Sequence, residues 1–139
     1  MGCNNGNKEQ PKSEEKQIKP DLAELEGCYL LTMAKDTARL KIEVRDSSVK
    51  GELSYKRFEK DNNEGTFEGK IHNEYIIAWY RFASEGTVSV REIHFKIMAD
   101  KLAEGYGEMD MRNDSAYFKF PTALSYEEHH PYIKTVCNQ

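Results

Sequence analysis

The chain has no run of about 18 apolar residues, so it offers no transmembrane helix. Its longest apolar stretch near the start is only Cys28–Leu31. Basic residues are outnumbered, the net charge is −4, and the two signs are interleaved. Without a Lys/Arg stripe there is no electrostatic footprint for a nucleic acid. Phosphate-binding loops, dinucleotide fingerprints, zincin helices and Cys-x-x-Cys pairs are all missing. Gly105-Tyr106-Gly107 is a lone glycine pair with no helix after it. No serine sits on a strand-to-helix elbow. These absences leave no catalytic residue, so the expectation is a non-enzymatic protein with no cofactor and no metal.

Cysteine is scarce, with three in 139 residues. Cys3 precedes a segment, Asn4 to Asp21, with no aromatic and a single aliphatic, Ile18. Such a segment cannot bury enough apolar area to offset its ordering entropy. It reads as a disordered tether over residues 1–24, reaching roughly 25 Å as a flexible coil, with a folded domain over 25–139. Gly2-Cys3 looks like the end of a lipobox, so Cys3 is the expected lipidation site. Met1-Gly2 also invites N-myristoylation, but position 6 is Gly6 rather than Ser or Thr. A free thiol in a floppy end is the remaining alternative. The lipobox reading places the chain in a bacterial envelope as an outer-membrane lipoprotein, periplasm-facing or surface-exposed, held to the membrane through Cys3. Cys28 and Cys137 then stand at the two edges of the domain, where an oxidising compartment favours a disulfide.

From Gly27 onward the hydrophobic period is mostly two. Leu40, Ile42 and Val44 alternate with Lys41, Glu43 and Arg45. The same holds for Val49–Tyr55, for Phe67, Gly69 and Ile71, and for the long pair Tyr75–Ala83 and Thr87–Ala99. These are half-buried antiparallel strands. "LAEGYGEMDM" reads as one glycine-bent strand and "AYFKF" as the last clear one. "PTALSYEEHHPYIKTV" is a short helix or a loop that returns Cys137. About eight short strands in meander order need closure to remove their edges, so the expected fold is all-β, a small up-and-down barrel. Inward Gly51 and Gly69 fit a tapering interior or sharp bends.

One stretch breaks the rhythm. In "TVSVREIHFKI", Val88 and Val90 fall on even positions, but Ile93, Phe95 and Ile97 fall on odd ones. A one-residue slip marks a β-bulge. Either Val90 and Arg91 both face inward, or Arg91 and Glu92 both face out. An inward Arg91 would need a partner, supplied by Glu85, Glu104 or a ligand anion. Glu85, Arg91 and Glu92 are therefore candidate ligand or bulge residues. Tyr29, Tyr75, Trp79, Tyr80 and Tyr106 either line a pocket at a barrel mouth or form an aromatic core, and Tyr29, Trp79 and Tyr106 join the candidate site. His94 lies beside Lys96 on the polar face and is expected in solvent. "EEHH" at 127–130 could bind a transition metal, but adjacent residues rarely share one ion. "FEKDNNEG" at 58–65 reads as turn chemistry rather than a Ca²⁺ loop.

Four blocks in order, "GCY" (27–29), "GELSYKRFEKDNNEGTFEG" (51–69), "SEGTVSVREIHFK" (84–96) and "EGYGE" (104–108), resemble small lipoproteins of Bacteroidetes-type bacteria. The resemblance implies a secreted, lipid-anchored β-barrel and carries over no catalytic residue. A weaker similarity runs to the barrel domain of NlpE-like envelope-stress lipoproteins, whose paired Cys-x-x-Cys this chain lacks. Two functions follow as expectations. The first is a monomeric module that binds or senses a small apolar ligand, since eight-stranded barrels can enclose one. The second is a protein-interaction module, an inhibitor or assembly partner, working through loops at one barrel end.

Overall fold

The computed structural model describes residues 22–59 and 62–137; Cys3 and most of the expected tether lie outside the described residues. A single-turn helix, α1 (Leu22–Leu25), straddles the boundary expected between tether and domain. Seven strands follow in meander order: β1 (Gly27–Met33), β2 (Asp36–Arg45), β3 (Ser48–Lys56), β4 (Asn63–His72), β5 (Tyr75–Ser84), β6 (Thr87–Met98) and β7 (Lys101–Tyr106). A hairpin, β8 (Met109–Arg112) and β9 (Ser115–Phe118), comes next, then the two-residue β10 (Ser125–Tyr126) and finally β11 (Tyr132–Thr135).

β11 pairs antiparallel with both β1 and β7, and this closes an eight-stranded antiparallel barrel. The barrel expectation holds, but its eighth strand is not "AYFKF". That segment lies in β9, outside the wall, and "LAEGYGEMDM" divides into β7 and β8. The reason is a split in the wall. β7 pairs with β6 only from Phe95↔Glu104 to Met98↔Lys101, then turns away at Gly105. β9 takes up the freed edge of β6 in parallel, at Val90 and Arg91.

Alternation puts Tyr29, Leu40, Ile42, Leu53, Phe67, Ile76, Tyr80, Ile93, Phe95, Leu102 and Tyr132 in one continuous core. Leu25 of α1 enters that core at the end where β1 begins, and the Tyr29 hydroxyl donates to its carbonyl at 2.7 Å. At the same end Cys28 is joined to Cys137, with Cα atoms 5.2 Å apart.

No bulge interrupts β6. Its register with β5 runs unbroken from Tyr75↔Lys96 to Ser84↔Thr87. Arg91 faces Tyr80 and points inward with Ile93 and Phe95, while Val90 and Glu92 point out. The apparent slip is a charged residue on the core face next to an apolar one on the outer face. Neither of the two arrangements expected from the sequence occurs.

At Gly51 the backbone of β2 passes close to β3. A Cβ there would stand 1.7 Å from the Lys41 carbonyl oxygen and 3.0 Å from the Phe67 ring. Backbone cannot yield as a side-chain tip can. Gly51→Ala is therefore expected to cost about 3 kcal/mol, the upper end for overpacking, read as a fall in the urea midpoint with m unchanged.

Candidate functional site

Two places gather the chemistry-bearing residues. The first is inside, towards the end of the barrel formed by the β1–β2, β3–β4 and β5–β6 connections. Glu104, on the core face of β7, is only 4 % exposed. Its carboxylate accepts from the Tyr55 hydroxyl at 2.8 Å and from the Tyr132 hydroxyl at 3.0 Å. Arg91 donates from Nη2 to the Tyr55 oxygen at 3.1 Å and lies 3.6 Å from Glu104. Tyr55 thus links cation to anion. Its ring also carries the Arg57 guanidinium, with Cζ 4.9 Å from the centroid, and the Arg91 Cζ at 5.6 Å.

Burial dominates the titration of this cluster. Loss of water pushes the Glu104 carboxyl above its ordinary range, against the pull of Arg91 and the two tyrosine hydroxyls. Tyr55 and Tyr132 are held well above the usual phenol range by burial and then by Glu104. Burial and Glu104 also push Tyr106, at the rim, up to about 12. For Arg91, burial opposes the charge, and Tyr55 and Glu104 outweigh it, leaving its pKa raised. Of the partners proposed for an inward Arg91, the structure brings Glu104 to it. Glu85 stands in the β5–β6 turn in a left-handed conformation.

The second place is the outer wall. Trp79 alternates out of phase with Ala78 and Tyr80 and is 44 % exposed. Its cross-strand neighbours are Glu68 on β4 and Glu92 on β6. Two shallow cavities flank it. One, of about 350 Å³, runs over Glu43, Lys50, Glu52, Thr66, Glu68, Arg81 and Val90. The other, of about 480 Å³, lies between Trp79, Glu92 and the β8–β9 hairpin at Arg112, Asn113, Ser115 and Tyr117. Both are lined by Trp79, so the indole borders a cavity on either side, and the two together are called the Trp79 groove.

The hairpin is fastened to the wall by Glu92. One carboxylate oxygen accepts from the Phe118 amide at 2.9 Å, and the other meets His94 Nε2 at 2.7 Å. Phe118 sits edge-on over the His94 ring, 5.2 Å between centroids. His94 is consequently 3 % exposed, not in solvent as its polar neighbours suggested. Nothing near His94 in sequence announces the cover, because it arrives from β9.

The expected aromatic mouth is dispersed. Tyr29 is buried at the α1 end, where burial and then Asp100 push its hydroxyl up to about 12. Tyr80 is in the core, its hydroxyl donating to the Leu53 carbonyl at 2.8 Å. Tyr75 rests against Tyr126 outside, Trp79 is on the outer wall, and Tyr106 is at the rim. Of Glu85, Arg91, Glu92, Tyr29, Trp79 and Tyr106, the structure sets Trp79 beside Glu92 on the outer wall, and Arg91 inside within electrostatic reach of Tyr106 at the rim. Tyr55, Arg57 and Tyr132 were missed. Tyr55 looked like an ordinary core aromatic and Tyr132 lay in a segment expected as a short helix or a loop, so only an inward Arg91 and Glu104 together would have singled them out.

Among the described residues no group of His, Cys, Asp and Glu is placed to hold a metal ion. Within "EEHH", His130 meets Glu127 at 3.0 Å and Glu128 meets Lys96 of β6 at 3.0 Å. No protein-family model, curated protein or solved structure matches the chain.

Proposed function

We propose that the chain is a lipid-anchored, non-enzymatic module of the bacterial cell envelope, which binds an extended segment of a protein partner along the Trp79 groove. In this reading Cys3 carries the lipid, the residues after it form the tether, and the Cys28–Cys137 bridge suits an oxidising compartment. The observation that carries the choice of surface is the contrast between inside and outside. Leu40, Ile42, Leu53, Ile76, Phe95 and Leu102 fill the interior at 2 % exposure or less, where an enclosed apolar ligand would have to sit. The indole, by contrast, stands open to solvent outside.

The groove crosses five strands, which at about 4.8 Å per strand gives roughly 20 Å of floor. Its rim carries both signs, Glu43, Glu52, Glu68 and Glu92 against Lys50, Arg81 and Arg112. That mixture suits the varied side chains of a polypeptide, with an apolar residue on Trp79 as the anchor. Beside the groove, β8 ends the sheet, and among the described residues no strand pairs with its second edge. Backbone groups on such an edge can receive an added strand.

A photo-crosslinker at position 81, in the full lipidated chain in its own host, tests this against a control at position 133 on β11, across the barrel from the groove, where Ile133 is exposed. One discrete protein adduct is expected at 81 and not at 133, with Trp79→Ala lowering its yield about tenfold, as for an aromatic anchor. Because Trp79 is the sole tryptophan, adding the purified partner should shift the indole emission. Equal adducts at both positions, a polysaccharide smear, or insensitivity to Trp79→Ala would overturn the reading. Intact mass of the host-derived protein tests the lipid on Cys3.

A further inference from the structure

Among the described residues, the polar side-chain atom that is buried without a hydrogen-bond partner is Arg91 Nε. Roughly nine in ten buried polar groups in proteins are paired, so an orphan on a guanidinium points to something that completes it. The Arg91 side chain is 27 % exposed as a whole, although Nε itself is out of solvent. Arg57 stands beside it, both guanidiniums lying on the Tyr55 ring. Two cations therefore face one buried carboxylate, Glu104. Around them Leu31 and Phe82 are partly buried apolar residues packed on the core, and Tyr106 stands on the rim.

We propose that this end of the barrel binds a small oxyanion, a carboxylate or a phosphate ester, held by Arg91 and Arg57 above Glu104. The planar fork of Arg91 offers Nε and a terminal nitrogen in the spacing that two oxygens of such a group match. Glu104 offsets one of the two positive charges, which leaves one net positive charge to hold the ligand. Leu31 and Phe82 give its apolar portion a wall to rest on. The inference is independent of the Trp79 groove, which opens on the other side of the wall.

The test is a titration of the full chain with sodium acetate, sodium hexanoate and inorganic phosphate, with chloride holding ionic strength constant. The readout is the ¹⁵N-resolved Nε–H resonance of Arg91. That resonance is expected to move saturably with at least one oxyanion and not with chloride. Hexanoate binding more tightly than acetate and phosphate assigns an amphipathic carboxylate; phosphate binding most tightly assigns a phosphate ester. Glu104→Gln, nearly isosteric and uncharged, is expected to tighten binding about tenfold, equivalent to about 1.4 kcal/mol. Arg91→Lys, which keeps the charge and loses the fork, is expected to weaken it at least about tenfold. An unmoved resonance in the wild-type chain overturns the proposal whatever the variants do, as does an equal response to chloride or unchanged affinity in both variants.

Discussion

Arg91→Met is expected to cost about 3 kcal/mol at neutral pH, towards the lower end for breaking a buried ion pair because Arg91 keeps some contact with solvent. The cost arises at Glu104. Its carboxylate is out of water, and the Arg91 charge is the largest influence opposing that burial. Even with Arg91 present, the folded-state pKa of Glu104 is raised, so the folded protein holds this proton to higher pH than the unfolded chain does. Its contribution to stability is therefore fully present below the ordinary carboxylate range and declines as pH rises through the raised folded value. Without Arg91 the folded value moves higher still, and the decline extends further towards alkaline pH. Urea unfolding across pH should show Arg91→Met close to wild type near pH 4 and falling progressively below it above that. Glu104→Gln should flatten the wild-type profile. The double variant Arg91→Met/Glu104→Gln should recover most of the loss, since a neutral amide still accepts from Tyr55 and Tyr132. A double variant as unstable as Arg91→Met alone would mean that Arg91 acts by packing over Tyr55 rather than by charge.

This pair also shows where a sequence stops being readable. Alternation works when core faces are apolar. It put Leu40, Ile42, Leu53 and Phe67 on the core face, as they are, but Trp79, grouped with Tyr80 as pocket or core, stands on the outer wall. An inward arginine defeats the rule, because it looks like a slip of one residue when the backbone has none. The partner that makes an inward Arg91 tolerable, Glu104, lies in a different strand and a different stretch of sequence. His94 failed for the complementary reason. Its polar neighbours Glu92 and Lys96 imply a wet face, but the face is covered by Phe118, which arrives from β9. The closing strand was obscure because Tyr132 to Thr135 is short, follows Pro131 and leaves Ile133 half exposed. Its extended state comes from the gap between β1 and β7, which offers backbone partners on both sides.

That dependence on the gap makes the disulfide the second large effect. β11 touches β1 through three residue pairs and β7 through two, far fewer than the long ladders between β2 and β6. Left to those contacts, the closing strand would fray and expose the edges of β1 and β7. The Cys28–Cys137 bond, 109 residues apart in sequence, ties the start of β1 to the chain just beyond β11. Loop closure of this length is worth nearly 5 kcal/mol in the chain-entropy model, and removal of native bridges typically costs 2–5. The double variant Cys28→Ser/Cys137→Ser is therefore expected to lose about 4 kcal/mol, a fall of roughly 15 °C in Tm for a domain of this size. The loss should also be uneven. Hydrogen exchange should speed up first in β11, the outer edge of β1 and the matching edge of β7, while β3, β4 and β5 keep their protection until global unfolding. Uniform acceleration across the sheet would mean that the bridge acts only on the unfolded chain. Edge-first opening would mean that it is the clasp of the barrel, and that the barrel stays fully closed only where thiols are oxidised.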